Sequence, residues 1–255
     1  MNFTGKGSPL NDQGMKNICT TLGIFQAEVW AVLTVETRGF GFLKDRRPQI
    51  LFERHIFHKL TNGKHDAGNA EISNVKPGGY VGGTGEYPRL QKAMALDQDA
   101  ALQSASWGVG QVMGFNFKAV GFSDINSMVT DMVKGENEQL LAMANFIKDK
   151  NLDSALRSQN WETFAHGYNG SGFKKNKYDE RLAAAHAKYK VMLPDLDLRA
   201  AQAALLYLGF NPGAVDGVIG KRTRTALTVF QERFGLPETG NLDAATEKKL
   251  FGEAF

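Results

Sequence analysis

The sequence predicts a mainly helical protein in two parts: a larger N-terminal α+β domain with a small irregular or β lobe, then a compact three-helix domain. Three observations carry this. Apolar residues recur at helical spacing along most of the chain. A run of turns and short apolar segments, including Pro77-Gly78-Gly79-Tyr80-Val81-Gly82-Gly83, interrupts that periodicity and suggests a cleft between lobes. A helical pattern then ends at Met192-Leu193-Pro194-Asp195, because proline disfavours helix at the residue before it. The expected domains are residues 1–192 and 193–255.

In chain order, helices are predicted over 26–37, 88–103, 135–148, 161–168 and 178–191. The first stacks Phe25, Val29 and Val32 on one face, with Gly39 as its stop. The last repeats Tyr178, Leu182, Ala185 and Tyr189. Beyond Pro194, Asp197 caps a helix through Leu198, Ala201, Leu205 and Leu208, which Gly209 ends. A second follows Thr223 with Ala226, Leu227, Phe230 and Phe234 inward, and Gly235 stops it. A third runs from Asp243 to Leu250. The segment G-F-N-P-G-A-V-D before one of these helices is echoed by G-L-P-E-T-G-N-L-D before the next, so this part reads as two loop–helix units sharing a core.

Composition sets limits on function. The chain has 255 residues, 42% hydrophobic and 22% charged, which is ordinary for a globular protein with one sizeable core and a second small one. A single cysteine, Cys19, excludes an intramolecular disulfide framework; with no histidine near it, it reads as a small core residue. The first residues hold no apolar run of signal-peptide length, and no segment has the length of a membrane span. The net charge is +3, yet residues 195–255 carry seven Lys/Arg against eight Asp/Glu. That near-neutral C-terminal part is a poor candidate for nucleic acid.

The most legible motif is C-terminal. Asp216, Gly217, Gly220 and Thr223 form a D-G-x-x-G-x-x-T turn leading into an amphipathic helix. With L-G-F-N-P-G before it and T-A-L-T-V-F-Q after it, this resembles the small three-helix peptidoglycan-binding module appended to many cell-wall hydrolases. The resemblance implies bacterial cell wall as partner. Asp216 itself can equally be read as capping its own loop.

The chemistry points the same way. Glu36 falls on the apolar stripe of the first helix and in its last turn, and both burial and the negative helix end should raise its pKa. A carboxyl that stays protonated near neutral pH suits general-acid cleavage of a glycosidic bond. The alternative is a glutamate at a fraying end that reaches water or pairs with Arg38. Farther on, Arg47 to Phe57 reads R-P-x-I-L-F-E-R-H-x-F, Ser104 to Gly114 reads S-A-S-W-G-V-G-Q-V-M-G, and Phe164 to Gly170 reads F-A-H-G-Y-N-G. Together these resemble the lysozyme and lytic-transglycosylase superfamily, and more specifically the N-acetylmuramidase domain of phage endolysins, over roughly residues 20–190.

The resemblance implies Glu36 as catalytic acid, Ser106 and Gln111 at the cleft wall, and Tyr168 and Asn169 against the sugar. Tyr80 and Tyr87, in and beside the glycine run, are expected on a mobile cleft rim where they could stack on sugar faces. Glu53 is the candidate second carboxylate, with Asp45 as runner-up; the competing reading buries Glu53 in an ion pair with Arg54 or Arg47. Trp107 is expected to pack. His55, His58 and His65-Asp66 lack an ordered metal-binding pattern, so neither metal nor organic cofactor is expected. The run Lys174-Lys175-Asn176-Lys177 reads as a solvated turn. The expected activity is hydrolysis of the β-1,4 bond between N-acetylmuramic acid and N-acetylglucosamine, by a monomer held in the host cytoplasm until released to the wall, with no stable membrane insertion. A lytic transglycosylase and a non-catalytic wall-binding protein remain the alternatives. Family members often carry the binding module first; here it comes last.

Overall fold

The computed structural model describes residues 1–37 and 39–255. Asn11 opens α1 (Asp12–Leu22) by accepting the Gly14 N–H at 2.9 Å, and Gly23 closes it at a φ of 67°. α2 (Gln26–Glu36) is the central helix, buried along most of its length. It lies against α10 (Tyr178–Val191), while α1 lies against α7 (Glu136–Asp149). A buried Glu28–His186 contact of 2.8 Å ties the start of α2 to α10. Phe25 does not join the inward stripe. It precedes the first helical turn with extended backbone and is 82% exposed.

The small lobe is a three-stranded antiparallel sheet in the order β1 (Ile50–Phe52), β2 (Ala105–Trp107), β3 (Val112–Met113). Its register pairs Ile50 with Trp107, Phe52 with Ala105, and Ser106 with Met113. α3 (Arg54–Leu60) follows β1 directly. The single helix expected over 88–103 is two, α4 (Glu86–Met94) and α5 (Gln98–Gln103). Asp97 separates them, because its carboxylate accepts the Ala100 N–H at 2.9 Å and starts a new helix. α6 (Ile125–Lys134), α8 (Asp153–Arg157) and α9 (Trp161–Asn169) complete the helical part. Trp107 packs as expected, its indole N–H donating to the Leu102 carbonyl and its ring stacked on Phe3.

The C-terminal part is α11 (Leu196–Tyr207), α12 (Lys221–Arg233) and α13 (Ala244–Ala254). The cap of α11 is Asp195 rather than Asp197, α12 starts before Thr223, and α13 continues past Leu250. The sequence echo has a structural basis. Gln202 is buried and accepts the N–H groups of Asp216 and Gly217, while its amide donates to Thr223. Gln231 repeats the arrangement, accepting from Gly240 and donating to Thr246. Each glutamine plugs one loop and ties it to the helix that follows.

The two parts meet through buried polar contacts. Arg199 on α11 pairs with Glu136 at the start of α7, and its Nη2 donates to the Gly39 carbonyl at 2.8 Å. The Glu136 carboxylate also accepts the Leu10 and Gly41 N–H groups. Around this pair, Phe40, Phe42, Ala203 and Val215 form a separate apolar cluster. Among the described residues no single helix is long and apolar enough to cross a membrane.

Candidate active site

The last turn of α2 opens onto a cleft of about 520 Å³, lined by Glu36, Gln111, Met113, Asn116, Phe146 and Tyr168 among others. Burial removes water from the Glu36 carboxyl and pushes its pKa up to about 7; a hydrogen bond from Asn169 and the charge of Arg181 only partly oppose this. The Asn169 amide donates to Glu36 Oε1 at 3.0 Å. Asn169 is the last residue of α9, so two helix ends converge on one carboxyl. Arg38, the alternative partner considered for Glu36, lies outside the described residues.

Tyr168, one residue earlier, is held by its ring. It stacks on Phe164 with centroids 5.4 Å apart and meets Phe146 edge-on, and its hydroxyl points to the Gly110 carbonyl at 3.4 Å. Burial raises its phenol pKa, with the Glu36 charge adding to this, so the hydroxyl stays a neutral donor.

The opposite wall is the β2–β3 turn. Gly108 adopts a φ of 68°, and a Cβ there would stand 2.4 Å from the Gln139 side chain, so glycine is required. Gln139 is buried on α7 and accepts the Val109 N–H at 2.8 Å, fixing the turn to the helical part. Gln111 does line the cleft, but its amide is engaged within the turn. Its nitrogen donates to Gly108 and Gln49, and its oxygen accepts the Ser106 hydroxyl at 2.8 Å. Ser106 is itself buried behind Gln111. Both residues therefore brace the wall; Ser106 does not reach the open cleft expected for it.

Glu53 follows β1 and accepts the Tyr80 hydroxyl at 2.8 Å, with His55 Nδ1 3.2 Å away. The ion pair considered for it does not form. Arg54 donates to the carbonyls of Ala70, Lys76 and Pro77, and Arg47 pairs with Asp45 while lying over the Tyr87 ring. Burial works to raise the Asp45 pKa, but the hydrogen bonds from Arg47 outweigh it and lower it. Among the described residues lining the cleft, Glu36 is the only carboxylate.

Tyr87 corrects the expectation of a sugar-stacking rim. It is 0% exposed, packs against Phe3, and donates to the Pro48 carbonyl at 2.8 Å. It sits in the first turn of α4 and faces the core. Tyr80, by contrast, is exposed. The glycine run is also better anchored than a mobile rim implies. Glu86, fully buried, accepts the N–H groups of Val81, Gly82 and Phe52 and pairs with Arg89. Burial alone would raise the Glu86 pKa; those backbone donors and Arg89 outweigh it and hold the carboxyl below its usual value. Sequence reading missed Glu86, although a glutamate directly after a glycine run and three residues before an arginine was the available signal.

The remaining candidates are accounted for locally. His58 contacts Asp66, Asp66 accepts the Ser73 hydroxyl, and His65 stacks on Phe57. Among the described residues no group of three or more metal-ligating side chains stands together. Lys174 pairs with Asp179 and Glu162. Cys19 is half-buried against the core, and burial followed by the Glu28 charge raises its thiol pKa. In the C-terminal motif, Gly217 and Thr223 are buried and shape the loop, so neither presents itself to a ligand. Gly220 is the exposed N-cap of α12, and Asp216 is exposed while capping the Val218 N–H at 3.0 Å.

Comparison with known proteins identifies the families of the two parts. Residues 26–190 match the sequence model of the N-acetylmuramidase family, and residues 195–250 match that of a peptidoglycan binding domain. The crystal structure of the Burkholderia AP3 phage endolysin is 40% identical, covers 72% of this chain and 72% of its own, and superposes with a TM-score of 0.68. Two Bacillus cereus proteins described as spore cortex-lytic enzyme are 48% identical over 54 residues. That match spans 21% of this chain and 21% of theirs, so the chain covers about a fifth of the length of these curated relatives. The chain belongs to the N-acetylmuramidase family and carries a C-terminal peptidoglycan binding domain.

Proposed function

We propose that this chain is an endolysin-type muramidase that hydrolyses the β-1,4 bond between N-acetylmuramic acid and N-acetylglucosamine. Glu36 is the general acid: it protonates the leaving glycosidic oxygen as positive charge develops at the anomeric carbon. The observation that carries this reading is a carboxyl with pKa near 7, half-buried in a cleft and hydrogen-bonded to Asn169. At neutral pH a large fraction of it holds its proton, as the step needs. Asn169 orients the acid, and the Tyr168 and Phe146 rings offer apolar surface beside the sugar. Glu53, held by Tyr80 and outside the described lining of the cleft, is the candidate for positioning the attacking water. Residues 1–192 form the catalytic domain and 193–255 the wall-binding domain, working as a monomer released to the wall from the host cytoplasm.

A second reading has one observation in its favour: the described cleft lining contains a single carboxylate. One acid/base glutamate suffices for a lytic transglycosylase, in which the sugar's own hydroxyl attacks and an anhydro product forms. Product mass on purified sacculi separates the two by one water. Hydrolysed ends with the wild type and none with Glu36→Gln support the muramidase; undiminished release by Glu36→Gln removes Glu36 from the chemistry.

A further inference from the structure

A second depression lies open to solvent between the two parts of the chain. Trp30, Thr34 and Thr37 of the α2 side form one wall, Lys188 and Tyr189 of α10 another, and Val215-Asp216 of the C-terminal loop the third. Its lining includes Thr37, the residue after Glu36, although the groove and the cleft share no lining residue. Its floor is apolar and its rim is not. Trp30 and Tyr189 are buried, and the Thr34 and Tyr189 hydroxyls are paired at 2.8 Å. The buried Trp30 indole N–H has no partner among the described residues, which is costly unless something else accepts it. Exposed Lys188 and exposed Asp216 bring one charge of each sign to the same groove.

We infer that this groove binds the stem peptide of peptidoglycan while the glycan strand occupies the cleft at Glu36. The inference rests on the muramidase reading. The chemistry favours a peptide over more glycan. N-acetylated sugars carry no ammonium group, whereas a stem peptide built with a diamino acid carries both carboxylates and an ammonium. Lys188 complements the first and Asp216 the second. Connectivity agrees as well, because the peptide hangs from the lactyl group of the muramic acid next to the bond being cut. A strand lying at Glu36 would have to carry its peptide past the end of α2 to reach the groove at Thr37. The C-terminal domain then contributes a wall to substrate recognition at the site of cleavage, besides tethering the enzyme.

The test compares kcat/KM on soluble peptide-bearing glycan fragments with that on the same fragments after amidase removal of the peptides. Wild type, Lys188→Met, Asp216→Asn and the control Lys190→Met, an exposed cation outside the groove lining, are run at two salt concentrations. The wild type should prefer peptide-bearing fragments. In Lys188→Met and in Asp216→Asn that preference should fall roughly threefold to tenfold, through KM, whereas Lys190→Met should keep it. Added salt should shrink the wild-type preference. A wild-type enzyme that cleaves both fragment sets equally, or a preference that the groove variants leave unmoved, overturns the inference. Failure to cleave either set would instead defeat the muramidase reading itself.

Discussion

Glu36 is the residue on which the proposed chemistry turns, and its environment makes opposite predictions for activity and stability. A carboxyl whose folded pKa is raised from 4.5 to about 7 binds its proton more tightly when folded. Stability is then highest below the unfolded pKa, declines as pH rises between about 4.5 and 7, and levels off above. Glu36→Gln keeps the acceptor for Asn169 and abolishes the penalty. It should lose about 10²–10⁴-fold in kcat while unfolding later than wild type at pH 8 and at the same point at pH 4. The gain at pH 8 should be on the order of 2 kcal/mol, allowing for the group's partial exposure. Urea midpoints at the two pH values check this, and a gain of equal size at both would refute the burial argument. Asn169→Ala removes a donor that favours the ionised form. The alkaline limb of the pH–rate profile should therefore move to higher pH, even as kcat falls. Glu36 stood out in the sequence because it sits on an apolar stripe at a helix end, whereas Asn169 entered only through the family resemblance. Tyr87 was not legible: a tyrosine beside a glycine run looks alike in sequence whether it faces a cleft or, as here, the Pro48 carbonyl.

At the scale of elements, the wall opposite Glu36 depends on side chains that plug loops. Gln139 holds the β2–β3 turn, Glu86 holds the glycine run, and Gln202 and Gln231 hold the two C-terminal loops. Local periodicity located the long helices α2, α7, α9 and α10 closely, since each buries an apolar stripe. It missed α3 and α8, too brief for a period to show, and also α1 and α6, which are longer than α9, and it fused α4 with α5 because the Asp97 cap breaks no apolar pattern. The plugs were invisible for a different reason: a buried Gln or Glu reads as surface until its tertiary partners are known. Glu86 offers a sharp test. Glu86→Ala leaves Arg89 buried without its partner and frees the Val81 and Gly82 N–H groups. The cost should be about 3–5 kcal/mol, with hydrogen exchange accelerating first at Val81 and Gly82. A loss below about 1 kcal/mol would mean that the glycine run holds its shape without Glu86.

For the whole molecule, the question is whether the C-terminal domain is only a tether. A tether raises the local concentration of enzyme on an insoluble wall and does nothing for a soluble substrate. The contacts between the two parts suggest more. Arg199 reaches from α11 to neutralise the fully buried Glu136, and the same guanidinium holds the Gly39 carbonyl, three residues after Glu36. Glu136 in turn holds the Gly41 N–H, so the segment leaving the proposed acid is clamped at both ends by one ion pair that spans the domains. Arg199→Met should leave Glu136 buried and unpaired, at a cost of about 3–5 kcal/mol. Its kcat should fall on soluble glycan fragments as well as on sacculi, because the acid's segment loosens. The double variant Glu136→Gln/Arg199→Met removes both charges and should recover part of the stability, since the two residues share one network and their effects are not additive. Deleting residues 193–255 should behave like Arg199→Met on soluble fragments, with a further loss on sacculi. If the truncated and Arg199→Met proteins instead cleave soluble fragments at the wild-type rate, the domain acts through tethering alone and the ion pair serves only to join the two parts.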